Sequence, residues 1–344
     1  MTNPVLVEVV RGAAVESRHR GAVAICDTEG ADYLAIGDVA TPIFPRSAVK
    51  PFQALLVVES GAADAYGLSD QALAIACASH GGEPAHVAAV EGFLACAGLD
   101  GGALECGAHW PLHQASARAL AHDNKKPSAL HNNCSGKHAA MLCVACKLGI
   151  DHRHYIDAEH PVQREIRATL EGAFGVRLDT YGIDGCSLPT YPVPLRNLAR
   201  AFARFGTGRH LGAQRYAAAR RLMTSCAEHP LYVGGTDRFC TAVLGGLRNR
   251  AFVKVGAEGV IGGVVPELGL GIAVKCDDGG QRAAEVIMAA LLMRMLPLSA
   301  EEGAFLEARV RPPMKNWNGL VVGELRPVSA LIGPSARGTG NVAP

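Results

Sequence analysis

Strand-like runs occupy the two ends of this chain and helix-like, Ala-rich segments fill its middle, and that order constrains the fold more than any single motif does. Residues 4–40 break into "VLVEVV", "GAVAICD" and "DYLAIGD", separated by the turn signals "RG", "TEG" and "GD". This pattern predicts an antiparallel meander. From Arg250 the pattern returns in "AFVKVGAEGVIGGVVPELGLGIAVKCDDG" and is followed by the helical run "QRAAEVIMAALLMRML". Between them, from about 69 to 230, helices dominate. Ser69 reads as the N-cap of "DQALAIACAS", and Pro84 as the first helical residue of "AHVAAVEGFLACAG". A further apolar helical pattern begins near Ser47 and ends at Gly61, with Pro51 in its first turns, where a missing N–H costs little. The expected architecture is α/β (α+β): one antiparallel sheet built from both termini, with a helical region between. On this reading residues 1–332 form a single large domain. Its α/β part covers about 1–68 and 230–332, its helical part about 69–229, and "GPSARGTGNVAP" at 333–344 is a disordered tail.

Charge and cysteine usage limit what such a domain can do. With Lys+Arg 33 against Asp+Glu 32 and no basic runs, there is no footprint for nucleic acid or an anionic membrane. A small molecule is the expected partner. The start "MTNPVLVEVVRG" lacks a signal-peptide pattern and the later apolar runs fall short of a bilayer span, so a cytoplasmic protein is expected. Eleven cysteines is an odd number, and they lie in apolar segments such as "ALAIACA" and "LCVACKLG". That suits reduced, packed thiols rather than a disulfide framework.

"HNNCSGKHAAML", 131–142, is the most chemically mixed stretch. Ser135-Gly136-Lys137 reads like the end of a phosphate-binding loop, but that motif needs a glycine where His131 stands and a Ser or Thr where His138 stands. Nucleotide binding is therefore not expected. Three other features are assigned to packing or plain polar contacts. They are "CVAC" at 143–146 within an apolar helix, the His109/His113 pair in "HWPLH", which Pro111 interrupts, and the Gly-rich "GGTDRFCTAVLGG".

Ser47 and Lys50 form an S-x-x-K pair, which on a helix share a face, so that a neutral lysine amine can serve as base to the serine. Downstream, Ser79 falls at a helix end in "ASHGG", and Lys254 begins K-x-G on a late strand. That ordered set is the arrangement of serine β-lactamases and penicillin-binding proteins, with Val255 in place of the Thr of K-T-G and Ser79-His80-Gly81 in place of S-D-N.

Together "PRSAVKPFQA", "CASHGGEPAH", "HNNCSGKHAAML" and "GIDGCSLPTYPVPL" resemble the class 3 L-asparaginases, also called the asparaginase II family, which share the serine β-lactamase fold. The resemblance runs from about 4 to 330. It implies two Ser-Lys tandems in one cleft, Ser47 with Lys50 and Ser79 with Lys254. It implies a zinc ion on Cys134, Lys137 and Cys186, and a cleft lined by Arg46, His138 and Asp184. By analogy with the β-lactamase layout, the N–H groups of Ser47 and Ala257 form the oxyanion hole. The implied activity is hydrolysis of L-asparagine to L-aspartate and ammonia by a homodimer, with zinc orienting the substrate. The alternatives are a glutaminase, a β-lactamase- or peptidase-like amidase, and a zinc-binding protein without enzymatic activity.

Overall fold

The computed structural model describes residues 2–332; the expected tail at 333–344 lies outside the described residues. Its main sheet has eight strands: β1 (Val5–Arg11), β2 (Ala14–Cys26), β3 (Asp32–Ile36), β4 (Phe252–Val255), β5 (Val260–Val265), β6 (Leu270–Cys276), β7 (Pro313–Lys315) and β8 (Val321–Pro327). The order is β7-β8-β1-β2-β6-β5-β4, with β3 beside β2, and every pairing is antiparallel. The expected meander is β1-β2-β3. The termini meet as the pattern predicts, through Val9 opposite Leu325 and Val23 opposite Val274. Helix Ala300–Val310 and the β7–β8 hairpin were not singled out from sequence, yet that hairpin completes the sheet against β1.

Helices cover both faces. On one side lies α1 (Leu195–Thr207), which follows Pro194 and ends at Gly208 in the left-handed conformation. It sits directly on the strands because they carry glycines there. A Cβ on Gly271 would stand 1.9 Å from the Ala199 carbonyl oxygen, and one on Gly262 would stand 2.0 Å from the Phe202 ring. On the other side lies α2 (Gln281–Met295), whose buried stripe Ala283, Val286, Ile287, Ala290 and Leu291 packs with Val23, Ile272 and Val274.

The remaining helices form the second core, and their ends obey local rules. In the helix Asp70–Ala76, the Ser69 hydroxyl caps the N–H of Ala72, and Pro84 opens the helix Pro84–Cys96 as expected. The pattern from Ser47 resolves into a 3₁₀ turn, Arg46–Val49, followed by the helix Lys50–Glu59, with Gly61 left-handed beyond its end. None of the eleven cysteines is in a disulfide, and all but Cys96 and Cys146 are buried. Among the described residues no helix is long and apolar enough to cross a membrane.

Candidate active site

Five segments, far apart in sequence, meet at the junction of edge strand β4 and the helical region. The first is the 3₁₀ turn carrying Ser47. It is set by Arg46, which holds φ +51°, a conformation that costs a non-glycine residue and persists only where its surroundings enforce it. The enforcing partner is Asp184: Arg46 donates to its Oδ1 from Nε at 2.9 Å and from Nη2 at 2.7 Å. Burial opposes the Asp184 charge, but Lys137 and Arg46 outweigh it and hold the carboxyl below the usual range. The end of β4 presses on the same turn. A Cβ on Gly256 would lie 2.5 Å from the Pro45 oxygen, which explains the glycine of K-x-G.

Lys50, fully buried, is one of two lysines that converge on Ser79. Its Nζ donates to Ser79 Oγ at 3.0 Å, to the Ala78 carbonyl at 2.5 Å and towards the Asn133 carbonyl at 3.5 Å. Lys254, also buried, donates to Ser79 Oγ at 3.0 Å and to its neighbour's carbonyl, Val255 O, at 2.6 Å. Burial draws the Lys254 amine down to about 8, helped by the nearby Lys50. This differs from the i to i+3 contact expected between Lys50 and Ser47. The hydrogen bonds of Lys50 all run to the loop and helix start opposite, because three acceptors are gathered there and a lysine head has three donors to place.

Ser47 and Ser79 are both half-buried, so neither is sealed in the core. A hydroxyl has two acceptor sites and one hydrogen. While both amines are protonated, both acceptor sites of Ser79 are taken by lysine N–H groups; once Lys254 is neutral its lone pair accepts the Ser79 hydrogen instead, which frees one acceptor site on Ser79 for a third partner.

Beneath the cleft, the helix Ser135–Lys147 starts just after Cys134. Cys134, Lys137 and Cys186 are all buried and close together: Lys137 Nζ lies 3.3 Å from Cys186 Sγ, and Cys134 interacts with both. The neighbouring Cys186, with Lys50 and Lys137 nearby, holds the Cys134 thiol well below its ordinary range against the opposing effect of burial. Burial works against the Lys137 charge, yet Cys186, Cys134 and Asp184 push its amine up. Two thiols and an amine in mutual reach fit the donor set of a Zn²⁺ site with a fourth position open. The amine must give up a proton to join it.

His138 is wholly buried. Its Nδ1 pairs with Tyr155 Oη at 2.6 Å, and the other contact of that oxygen among the described residues is the Glu105 N–H, a donor, at 3.0 Å; Nδ1 is thus the acceptor the phenol hydrogen meets, and Nε2 carries the ring hydrogen. Among the described residues Nε2 has no hydrogen-bond partner. Burial drives the His138 imidazole well below its ordinary range, which keeps it neutral.

Several contributors were not foreseen. Tyr155 sets the His138 tautomer, the Asn133 carbonyl receives Lys50, and His80 ties the Ser79 loop down. For His80 the only hint was its place in "ASHGG" beside Ser79. The features set aside behave as expected. Cys143 packs inside its helix against the Phe93 carbonyl, and "HWPLH" is a loop in which His109 Nε2 accepts the Asn133 N–H.

Comparison with known proteins now adds one decisive finding: the family model described as L-asparaginase II matches residues 7–327. The chain belongs to the L-asparaginase II family. It is therefore an asparaginase-type amidohydrolase acting on a small amide. Among solved structures, this L-asparaginase II family member is similar to a β-lactamase from Mycobacterium bovis at 16% identity, with 77% of this chain and 90% of that chain covered and a TM-score of 0.41. It is similar to Mglu in its native form at 15% identity, with 82% and 66% covered and a TM-score of 0.35. Similarities this distant carry no residue role across. No significant match is found among curated protein sequences.

Proposed function

We propose that this protein hydrolyses L-asparagine to L-aspartate and ammonia by a serine acyl-enzyme route. The observation that carries the reading is the bridge Lys50–Ser79–Lys254, two buried amines on one hydroxyl, with Ser47 on the adjoining turn. Ser47 Oγ attacks the side-chain carboxamide carbon and its proton passes to Ser79, whose own proton moves to the neutral amine of Lys254. The N–H groups of Ser47 and Ala257 bind the oxyanion. The C–N bond then breaks, the relay returns a proton to the departing ammonia, and water cleaves the Ser47 ester to release aspartate.

Cys134, Lys137 and Cys186 would hold Zn²⁺, which would supply a Lewis-acid site that orients the amino acid's charged end. The unpartnered Nε2–H of His138 is a donor for the same ligand. Arg46, locked to Asp184, presents its remaining N–H groups to the cleft. The reading includes a homodimer in the cytoplasm, where the thiols stay reduced.

One observation favours a second reading: Ser79, not Ser47, is the serine hydrogen-bonded to lysine, which would make Ser79 the nucleophile. Acid quench during turnover, followed by peptide mapping of the aspartyl ester, distinguishes the two. Ammonia release measured with asparagine, glutamine and a β-lactam tests the substrate. Turnover of the β-lactam alone would sink the asparaginase reading.

A further inference from the structure

We infer that His80 and Ser135 act as one positioning pair, which clamps the Ser79 loop to the first turn of the Cys134–Lys137 helix and thereby sets the reach of Ser79 to both lysines. This rests on the proposed place of Ser79 in the relay.

His80 is fully buried and its hydrogen bonds are determined. Its Nδ1 accepts the Gly82 N–H at 3.1 Å, so the ring hydrogen sits on Nε2 and is donated to Ser135 Oγ at 2.9 Å. The Ser135 hydroxyl in turn donates to the Leu130 carbonyl at 3.0 Å. The His80 ring stacks on His86 at 5.0 Å between centroids and 18° between planes. His86 is itself locked, accepting the Glu83 N–H and donating to the Leu231 carbonyl.

The main chain follows the same plan. The His80 N–H goes to the Asn133 carbonyl at 3.2 Å, the same oxygen that faces Lys50, and the Ser79 N–H goes to the Val233 carbonyl at 3.0 Å. The two partners cannot drift apart cheaply. A Cβ on Gly136 would stand 2.2 Å from the Ile75 carbonyl oxygen, so the helix start is pressed against the helix that leads into the Ser79 loop.

Among the described residues the Ser135 hydroxyl is therefore the one side-chain acceptor for the buried Nε2–H of His80, the residue next to Ser79. Without it, that N–H faces a dry methyl group, and the loop must shift to find another acceptor. A shift of an ångström in a reacting group costs about a hundredfold in rate without changing the binding surface.

The experiment is steady-state ammonia release from asparagine and glutamine by wild type, Ser135→Ala, His80→Gln, the double variant and Ser79→Ala, with folding checked by circular dichroism. Ser135→Ala is expected to lower kcat about ten- to a hundredfold with KM within about twofold, and the double variant to be no slower than the slower single one. A folded Ser135→Ala protein with wild-type kcat, or single effects that multiply in the double variant, overturns the pair. If Ser135→Ala does not fold, Ser135→Cys, which keeps a weak acceptor of similar size, replaces it. An intermediate kcat then supports the pair and an unchanged one overturns it. Loss of activity in Ser79→Ala beside a normal Ser135→Ala condemns the pair alone, whereas a normal Ser79→Ala condemns the relay on which it rests.

Discussion

Lys254 Nζ lies 3.0 Å from Ser79 Oγ inside a water-poor pocket, and Lys50 Nζ reaches the same oxygen from the other side. A base in this arrangement must be unprotonated to work. Since burial brings Lys254 down to about 8, its neutral fraction grows as pH rises through that value. We expect kcat/KM to climb about tenfold per unit below pH 8 and to level above it, and Lys254→Met to abolish the climb. A flat profile from pH 6 to 9 in the wild-type enzyme would remove Lys254 from the proton path.

Ser47→Ala and Ser79→Ala should differ in kind. As the proposed nucleophile, Ser47 on its loss should cut turnover by at least about a thousandfold, and because among the described residues no lysine is hydrogen-bonded to it, stability should stay within about 0.5 kcal/mol. Ser79→Ala removes the acceptor common to two buried amines and should also cost about 1–3 kcal/mol. Urea unfolding alongside kinetics separates them, and equal stability losses would contradict the bridge.

Asp184→Asn should loosen the turn before Ser47. The lost charged hydrogen bonds amount to about 1.5–3 kcal/mol, and Arg46 would no longer be compelled to hold φ +51°. A falling kcat with a lowered melting temperature is the expected pair of results. An unchanged kcat would show that the turn keeps its shape without Asp184.

Metal analysis of protein purified under metal-replete conditions should find roughly one zinc per chain, lost on Cys186→Ala and weakened as pH falls, because protons compete for two thiolates and an amine. If zinc orients rather than reacts, chelation should raise KM more than it lowers kcat. Loss of kcat at constant KM would instead place the ion in the chemical step.

Gly271→Ala should destabilise the fold by about 1–3 kcal/mol or more, since the new methyl meets the Ala199 carbonyl, a backbone atom that cannot turn aside. A melting temperature equal to that of the wild type would mean that α1 does not lie directly on the sheet.

What the sequence determined by itself is what depends on near neighbours. The two strand-rich ends, the helical middle, the Ser69 cap, Pro84 at a helix start and the glycine after Lys254 follow from periodicity and backbone limits that act within a few residues. The motifs "PRSAVKPFQA" and "HNNCSGKHAAML" likewise marked which serines, lysines and cysteines to watch. Tertiary structure alone decided who touches whom. Lys50 meets a serine 29 residues away, and Lys254 meets the same serine across 175 residues. Cys134 found Cys186 among eleven cysteines only once the 182–190 segment lay over the helix start. Arg46 adopts a left-handed backbone because Asp184, 138 residues on, holds it there. Such choices turn on which acceptors a buried donor meets after packing, and a lysine or arginine head, long, flexible and costly to leave unpaired, takes whichever partners the finished fold presents.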